Sequence, residues 1–208
     1  MTSSELRHTG LNLGGTGEIS HEQAETGLFG FWVFLMSDAV IFALLFATYG
    51  VMLSATAGGP TPTAEYKIGP AFIETLLLLT SSLTFGMASI TMKHDARPRG
   101  LFGWLFVTLL LGLAFLGFEL HDFATMVGDG AWPMRSGYLS AFFALVPLHG
   151  LHVLFGSLWI VVMMVQLAVF GPDARVKLNI LRLGLFWHFL DIVWIAIFTI
   201  VYLQGLIR

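Results

Sequence analysis

Histidines and carboxylates recur where almost every neighbour is apolar. The stretch "GLFWHFLDIVWIAIF", residues 184–198, holds His188 and Asp191, and "HGLHV", residues 149–153, holds His149 and His152. Asp38 stands in "LMSDAVIF", Glu74 in "AFIETLLLL", and Glu119, His121 and Asp122 in "GFELHDF". On a helix, residues three apart lie on one face, so His149 pairs with His152 and His188 with Asp191. Imidazole and carboxylate groups converging from several helices can bind zinc or iron. They can also share a proton, form an ion pair, or hydrogen-bond one helix to another, and each of these lowers the penalty of burying them.

The elements that carry these residues follow from composition. The chain has 208 residues, 56% hydrophobic and 11% charged, with mean hydropathy +0.82. Soluble domains are nearer ~45–50% apolar and ~25% charged. A bilayer span needs roughly 20 apolar residues, and five runs satisfy this: about 28–53, 70–92, 100–124, 139–170 and 180–205. Gly- and Pro-containing or charged segments separate them, among them "SATAGGPTPTAEYKIGP", "KHDARPRG", "VGDGAWPMRSG" and "GPDARVKLN". Every backbone group in lipid must be bonded within its own segment, so the expected fold is an all-α bundle of five transmembrane helices. Residues 1–27 are polar and Gly-rich with no apolar core. They read as a tail and not as a secretory signal. A formal net charge of -3 gives no basic surface for nucleic acid. The absence of Cys excludes disulfides, iron–sulfur clusters and thiolate-bound copper or zinc.

Orientation follows from the basic residues. Arg7, Lys93, Arg97, Arg99, Arg175, Lys177 and Arg182 fall on one side, and Lys67, Arg135 and Arg208 on the other. Seven against three predicts a cytoplasmic N-terminus and a periplasmic C-terminus. At ~1.5 Å per residue, Asp38, His152, His188 and Asp191 lie roughly 12–20 Å into their spans and share the middle layer. Glu74, Glu119, His121 and Asp122 lie near the external ends, within reach of water or headgroups. Trp32, Trp104 and Trp187 near one face, and Trp132, Tyr138 and Tyr202 near the other, read either as interfacial belts or as packing. The pairs Ala43/Ala47, Ser82/Gly86 and Ala114/Gly117 predict close helix approach.

Three readings of the buried polar set compete. A metal site could draw on His149, His152, His188 and a carboxylate, but membrane diiron enzymes use adjacent histidines, and here there is one HxxH and no HxxHH. Transport through the midplane carboxylates has little support from five spans with no repeat and no interrupting proline pair apart from Pro147. Polar ties between helices inside a subunit of a larger complex fit the composition best.

Four stretches carry a resemblance: "FWVFLMSDAVIFALLFATY", "GPAFIETLLLLTSS", "SAFFALVPLHGLHVLFGSLWI" and "FWHFLDIVWIAIFTIVYL". Together they resemble subunit III of the haem–copper terminal oxidases from about residue 28 to 205. The match begins at the third of that family's usual seven spans. With the MSD and AGGPT stretches, it is closest to the five-span subunit III of bacterial cytochrome bo-type ubiquinol oxidases. The alternative within the family is subunit III of a cytochrome c oxidase.

The resemblance implies a multi-pass subunit of the bacterial inner membrane. Its complex oxidises ubiquinol, reduces oxygen to water and pumps protons. It also implies no cofactor on this chain, with haem and copper on subunit I, and no catalytic residue and no metal ligand. Subunit I, the other oxidase subunits and phospholipid become the expected partners. The implied role is support of sustained turnover and of proton uptake by subunit I. The family's carbodiimide-reactive intramembrane carboxylate aligns with Asp38, where cytochrome c oxidases have Glu. Those enzymes tend to have Arg before the Gln at the end of the HGLHV helix; Val165 precedes Gln166 here. Lipid phosphate must then meet Arg97, Arg99, Arg175 or Lys177. The intramembrane network comprises Asp38, Glu74, Glu119, His149, His152, His188 and Asp191, with Asp38 and His152 expected to meet.

Overall fold

The structure is a computed structural model and describes residues 21–55, 68–94 and 98–203. Five helices account for nearly all of these: α1 (His21–Met52), α2 (Ile68–His94), α3 (Pro98–Gly128), α4 (Gly137–Phe170) and α5 (Ala174–Ile197). A 3-10 turn at Pro133–Arg135 precedes α4, and α5 runs on into a π-helical turn at Phe198–Leu203. All five carry stretches long and apolar enough to cross a bilayer. The expected five-helix architecture is therefore present, and no strand occurs among the described residues.

Two boundaries differ from the apolar runs. Helix α1 begins at His21 rather than at 28, and residues 1–20 of the expected tail lie outside the described residues. Helix α5 begins at Ala174 rather than near 180. Arg175, Lys177 and Arg182 are therefore helical and not in a loop, because Asp173 is already the N-cap. The break before it is Gly171, whose φ of 72° is open to glycine and strained for other residues. Its N–H donates to the Leu167 carbonyl and closes α4. At the other end of α4, Ser136 caps the helix by accepting from the Leu139 N–H at 3.1 Å. Pro147 does not interrupt α4, which stays helical through it.

Helices α2 and α5 run antiparallel and are joined by a hydroxyl–indole ladder. The Trp194 Nε1–H donates to Thr75 and the Trp187 Nε1–H to Ser81, each at 3.1 Å. Thr84 and Thr108 are hydrogen-bonded at 2.8 Å and tie α2 to α3. Trp187 is 2% exposed and Trp194 0%. Trp187, Tyr138 and Tyr202 are thus core residues and not interfacial belts, and the Trp187 N–H finds in Ser81 a fixed partner inside the bundle. Trp32 and Trp132 are exposed on the outer surface.

The closest helix approaches are not at the expected small-residue pairs. A Cβ on Gly86 or Gly117 would meet nothing within 4 Å, and Ala43 and Ala47 are exposed. The tight positions are Gly112 and Gly156, between which the Trp187 ring is clamped, Gly184 against Phe85, and Gly150 against Glu119. Small residues here accommodate large side chains from a neighbouring helix; they do not bring two backbones together.

Candidate functional site

The buried polar residues fall into separate stations held by different helix pairs. At the first, between α1 and α4, His152 Nε2 lies 3.3 Å from Asp38 Oδ2. The two side chains expected to meet do so. His152 Nδ1 is hydrogen-bonded to the Leu148 carbonyl at 2.7 Å. A carbonyl only accepts, so Nδ1 carries a proton and Nε2 is the nitrogen facing the carboxylate. A bare Nε2 lone pair would repel a carboxylate oxygen, and the contact is favourable only with a proton between the two groups. The contact lies within ion-pair range but is not aligned as a hydrogen bond. Phe42, edge-on to the imidazole at 5.3 Å, and Phe186 wall the pair.

The second station joins α2 and α5. Ser82 Oγ and His188 Nδ1 are hydrogen-bonded at 2.7 Å. The same hydroxyl bonds the Asp191 side chain, so His188 and Asp191 meet the Ser82 hydroxyl together. Phe85 stands edge-on to the His188 ring at 5.9 Å. Asp191 is 8% exposed, and its Oδ1 has no hydrogen-bond partner among the described residues.

Glu74 of α2 and Glu119 of α3 form the third station. Both are buried, at 1% and 3% exposure, and they lie within electrostatic reach of one another, with Asp122 close to Glu74. The bare backbone at Gly150 of α4 makes room for the Glu119 carboxylate. Tyr202, carried on the π-helical turn, faces the same group. Glu74 and Glu119 therefore do not reach water or headgroups as their position along the spans suggested; they point across the α2–α3 interface into the bundle. His121 is exposed.

His149 stands apart from all three. Its Nε2–H donates to the Leu190 carbonyl at 3.1 Å, and Phe115 and Trp194 box the ring. His149, His152 and His188 are thus each engaged by a different neighbour. Among the described residues, no three His, Asp or Glu side chains are grouped so as to hold a metal ion. The expectation that these polar groups satisfy one another is met only in part. Asp38 Oδ2, Glu74 Oε1, Glu119 Oε1, His149 Nδ1 and Asp191 Oδ1 are buried without a hydrogen bond among the described residues. Several helices contribute carboxylates, and the donors around them do not match every oxygen.

Sequence reasoning missed the hydroxyl partners Thr75, Ser81 and Ser82, and also Arg182. The Arg182 guanidinium reaches Asn179 and packs against α1 at Gly27. The signal available for the hydroxyls was their spacing, which matches Trp187, His188 and Trp194 in antiparallel register. Of the cations expected at headgroups, Arg99 and Arg175 are exposed and Lys177 half-buried, while Arg97 lies outside the described residues.

Comparison with known proteins decides the family. Residues 13–206 match cytochrome c oxidase subunit III. The chain belongs to that family. It is 45% identical over 187 residues to cytochrome bo(3) ubiquinol oxidase subunit 3 of Pseudomonas putida, covering 90% of each chain. It is 42% identical to quinol oxidase subunit 3 of Bacillus subtilis, covering 88% of this chain and 91% of that one. It is also 42% identical to cytochrome c oxidase subunit 3 of Bacillus sp. strain PS3, over 86% of each. The resemblance carried by the four motif stretches thus extends along nearly the whole chain. Subunit III is an accessory subunit of haem–copper oxidases, belongs to a family that carries no redox cofactor on this subunit, and has other oxidase subunits as partners. Five spans and bacterial relatives make this chain a multi-pass bacterial membrane protein.

Proposed function

We propose that this subunit III serves a proton-pumping ubiquinol oxidase of the cytochrome bo type in the bacterial inner membrane, with its N-terminus cytoplasmic and its C-terminus periplasmic. It binds subunit I and phospholipid, and it sustains turnover and proton uptake by an enzyme whose haems and copper lie on subunit I. The observation that carries this reading is the separation of the histidines. Each is taken up by a neighbouring helix, so the polar residues hold helices together, and among the described residues they do not converge on one centre. In lipid there is no hydrophobic drive between helices, and interhelical hydrogen bonds supply ~0.6–2 kcal/mol each toward a fixed arrangement. A fixed bundle can brace a neighbouring subunit. Asp38 and His152 have a further property, a carboxyl and an imidazole facing each other at 3.3 Å between α1 and α4, which suits them to proton exchange with an adjoining path.

The quinol donor is favoured by the names of the Pseudomonas and Bacillus subtilis relatives. The cytochrome c oxidase reading has its own support in the Bacillus PS3 relative. Affinity purification of the tagged chain in mild detergent tests both. The proposal expects b- and o-type haem spectra and ubiquinol-driven oxygen consumption in the eluate, and no c-type haem. The metalloenzyme rival expects one iron or zinc per isolated chain, lost when His149, His152 or His188 is changed to Ala. Finding that metal would overturn the proposal.

A further inference from the structure

Seven residues of α2 carry a hydroxyl, and six of them are locked to their own helix. Thr75, Thr80, Ser81, Thr84, Ser89 and Thr91 each donate to a carbonyl three or four residues back. Where Trp194 and Trp187 reach Thr75 and Ser81, the hydroxyl therefore only accepts. Among the described residues Ser82 is the exception. Its hydroxyl bonds no backbone group and turns across to α5, where it meets His188 Nδ1 at 2.7 Å and the Asp191 side chain.

A hydroxyl has one proton to give and lone pairs to accept with, and both neighbours of Ser82 can do either. In one arrangement an imidazolium Nδ1–H donates to Oγ, and the Oγ–H donates to the Asp191 carboxylate. In the other, an Asp191 acid O–H donates to Oγ, the Oγ–H donates to a bare Nδ1, and the imidazole keeps its proton on Nε2. Both arrangements hold the same number of protons on the same heavy atoms, and both satisfy every link. The first carries two charges, whose mutual attraction offsets their costly burial; the second carries none.

We propose that Ser82 makes this station a proton relay, carrying a proton between His188 and Asp191 by reversing the direction of its two hydrogen bonds. In the forward step the Nδ1–H bond breaks as a new Oγ–H bond forms. The old Oγ–H bond breaks as its proton reaches an Asp191 oxygen. The imidazolium becomes a neutral imidazole, the carboxylate becomes a carboxylic acid, and no electron leaves the three residues. His188 is half-buried and Asp191 is 8% exposed, so the imidazole is the end at which a proton enters and the carboxyl is the end that stores it. The inference goes beyond the part of this station in tying α2 to α5, and it does not depend on which oxidase the chain serves.

The test is hydrogen–deuterium exchange at the Asp191 acid proton. Infrared spectroscopy of the full chain in lipid nanodiscs reads it as the downshift of the acid carbonyl stretch after transfer to D2O. The band is assigned by its loss in Asp191→Asn, and the wild type should show it at neutral pH. Ser82→Ala removes the link but leaves both end groups. It should slow exchange by at least ~100-fold, the low end of what a positioned proton-transfer group supplies. His188→Gln, which removes the entry group, should slow it likewise. Ser82→Thr keeps a hydroxyl and should exchange as the wild type does. Ser81→Ala loosens the same helix pair at Trp187 without touching the relay, and should not slow exchange. A hydroxyl with only a structural part predicts equal or faster exchange in Ser82→Ala, because a looser seam admits water. That result would overturn the relay, as would equal slowing in Ser81→Ala, or a wild type with no Asp191 acid band.

Discussion

Trp187 shows how single residues fix the bundle. Its ring lies between Gly112 and Gly156, and its N–H donates to Ser81. A Cβ at Gly156 would stand 3.0 Å from the ring. Gly156→Leu should therefore force Trp187 out of its slot and destabilise the chain by about 1–3 kcal/mol, the usual range for overpacking. A thermal scan of the purified subunit reads this as a lower melting temperature, and an unchanged one would mean that the clamp has no role. At Asp38 the charge and the tie can be separated. Asp38→Asn keeps a polar partner for His152 without the carboxyl group, so it should assemble normally. Asp38→Leu removes the partner and should weaken assembly, by about 1 kcal/mol for one interhelical bond in lipid. Equal assembly of Asn and Leu variants would deny the pair a structural part. That Asp38 and Asp191 are buried was legible in the sequence, and depth along the helix together with the family resemblance brought Asp38 to His152. Rotation about the helix axis was not legible, because these spans are apolar almost all round and no amphipathic stripe marks the inner face. Glu74 and Glu119 were placed near water by their depth alone, and their rotation turns them into the bundle instead.

At the scale of the helix, the apolar runs gave number and order, since span length is set by the bilayer. Ends were less legible where a helix continues into polar sequence. The first turns of α5 carry Arg175 and Lys177 and read as loop, although Gly171 had already ended α4. The π-helical turn at Phe198–Leu203, which turns Tyr202 toward Glu74 and Glu119, left no mark in the sequence pattern. The orientation of all five helices hangs on the basic-residue asymmetry. Reporter fusions at Ala96 and Ala131 should give cytoplasmic and external signals respectively. The reverse pattern would invert every depth assigned above.

For the molecule as a whole, most of the outward-facing surface is apolar, from Phe29, Phe34 and Leu44 on α1 to Leu158, Val165 and Val169 on α4. Lipid and partner subunits must cover it. The family was legible from four motif stretches; the partner-facing surface was not, because a face packed on another subunit and a face in lipid are equally apolar. The central claim is that this chain sustains an oxidase whose chemistry takes place elsewhere. The direct measurement is ubiquinol-driven oxygen consumption followed over time for the intact complex and for the same complex stripped of this subunit. The stripped enzyme should start at a near-normal rate and then lose activity sooner than the intact one, with re-addition of the subunit restoring the longer lifetime. A stripped enzyme with no initial activity, or one that turns over as long as the intact complex, would contradict the account.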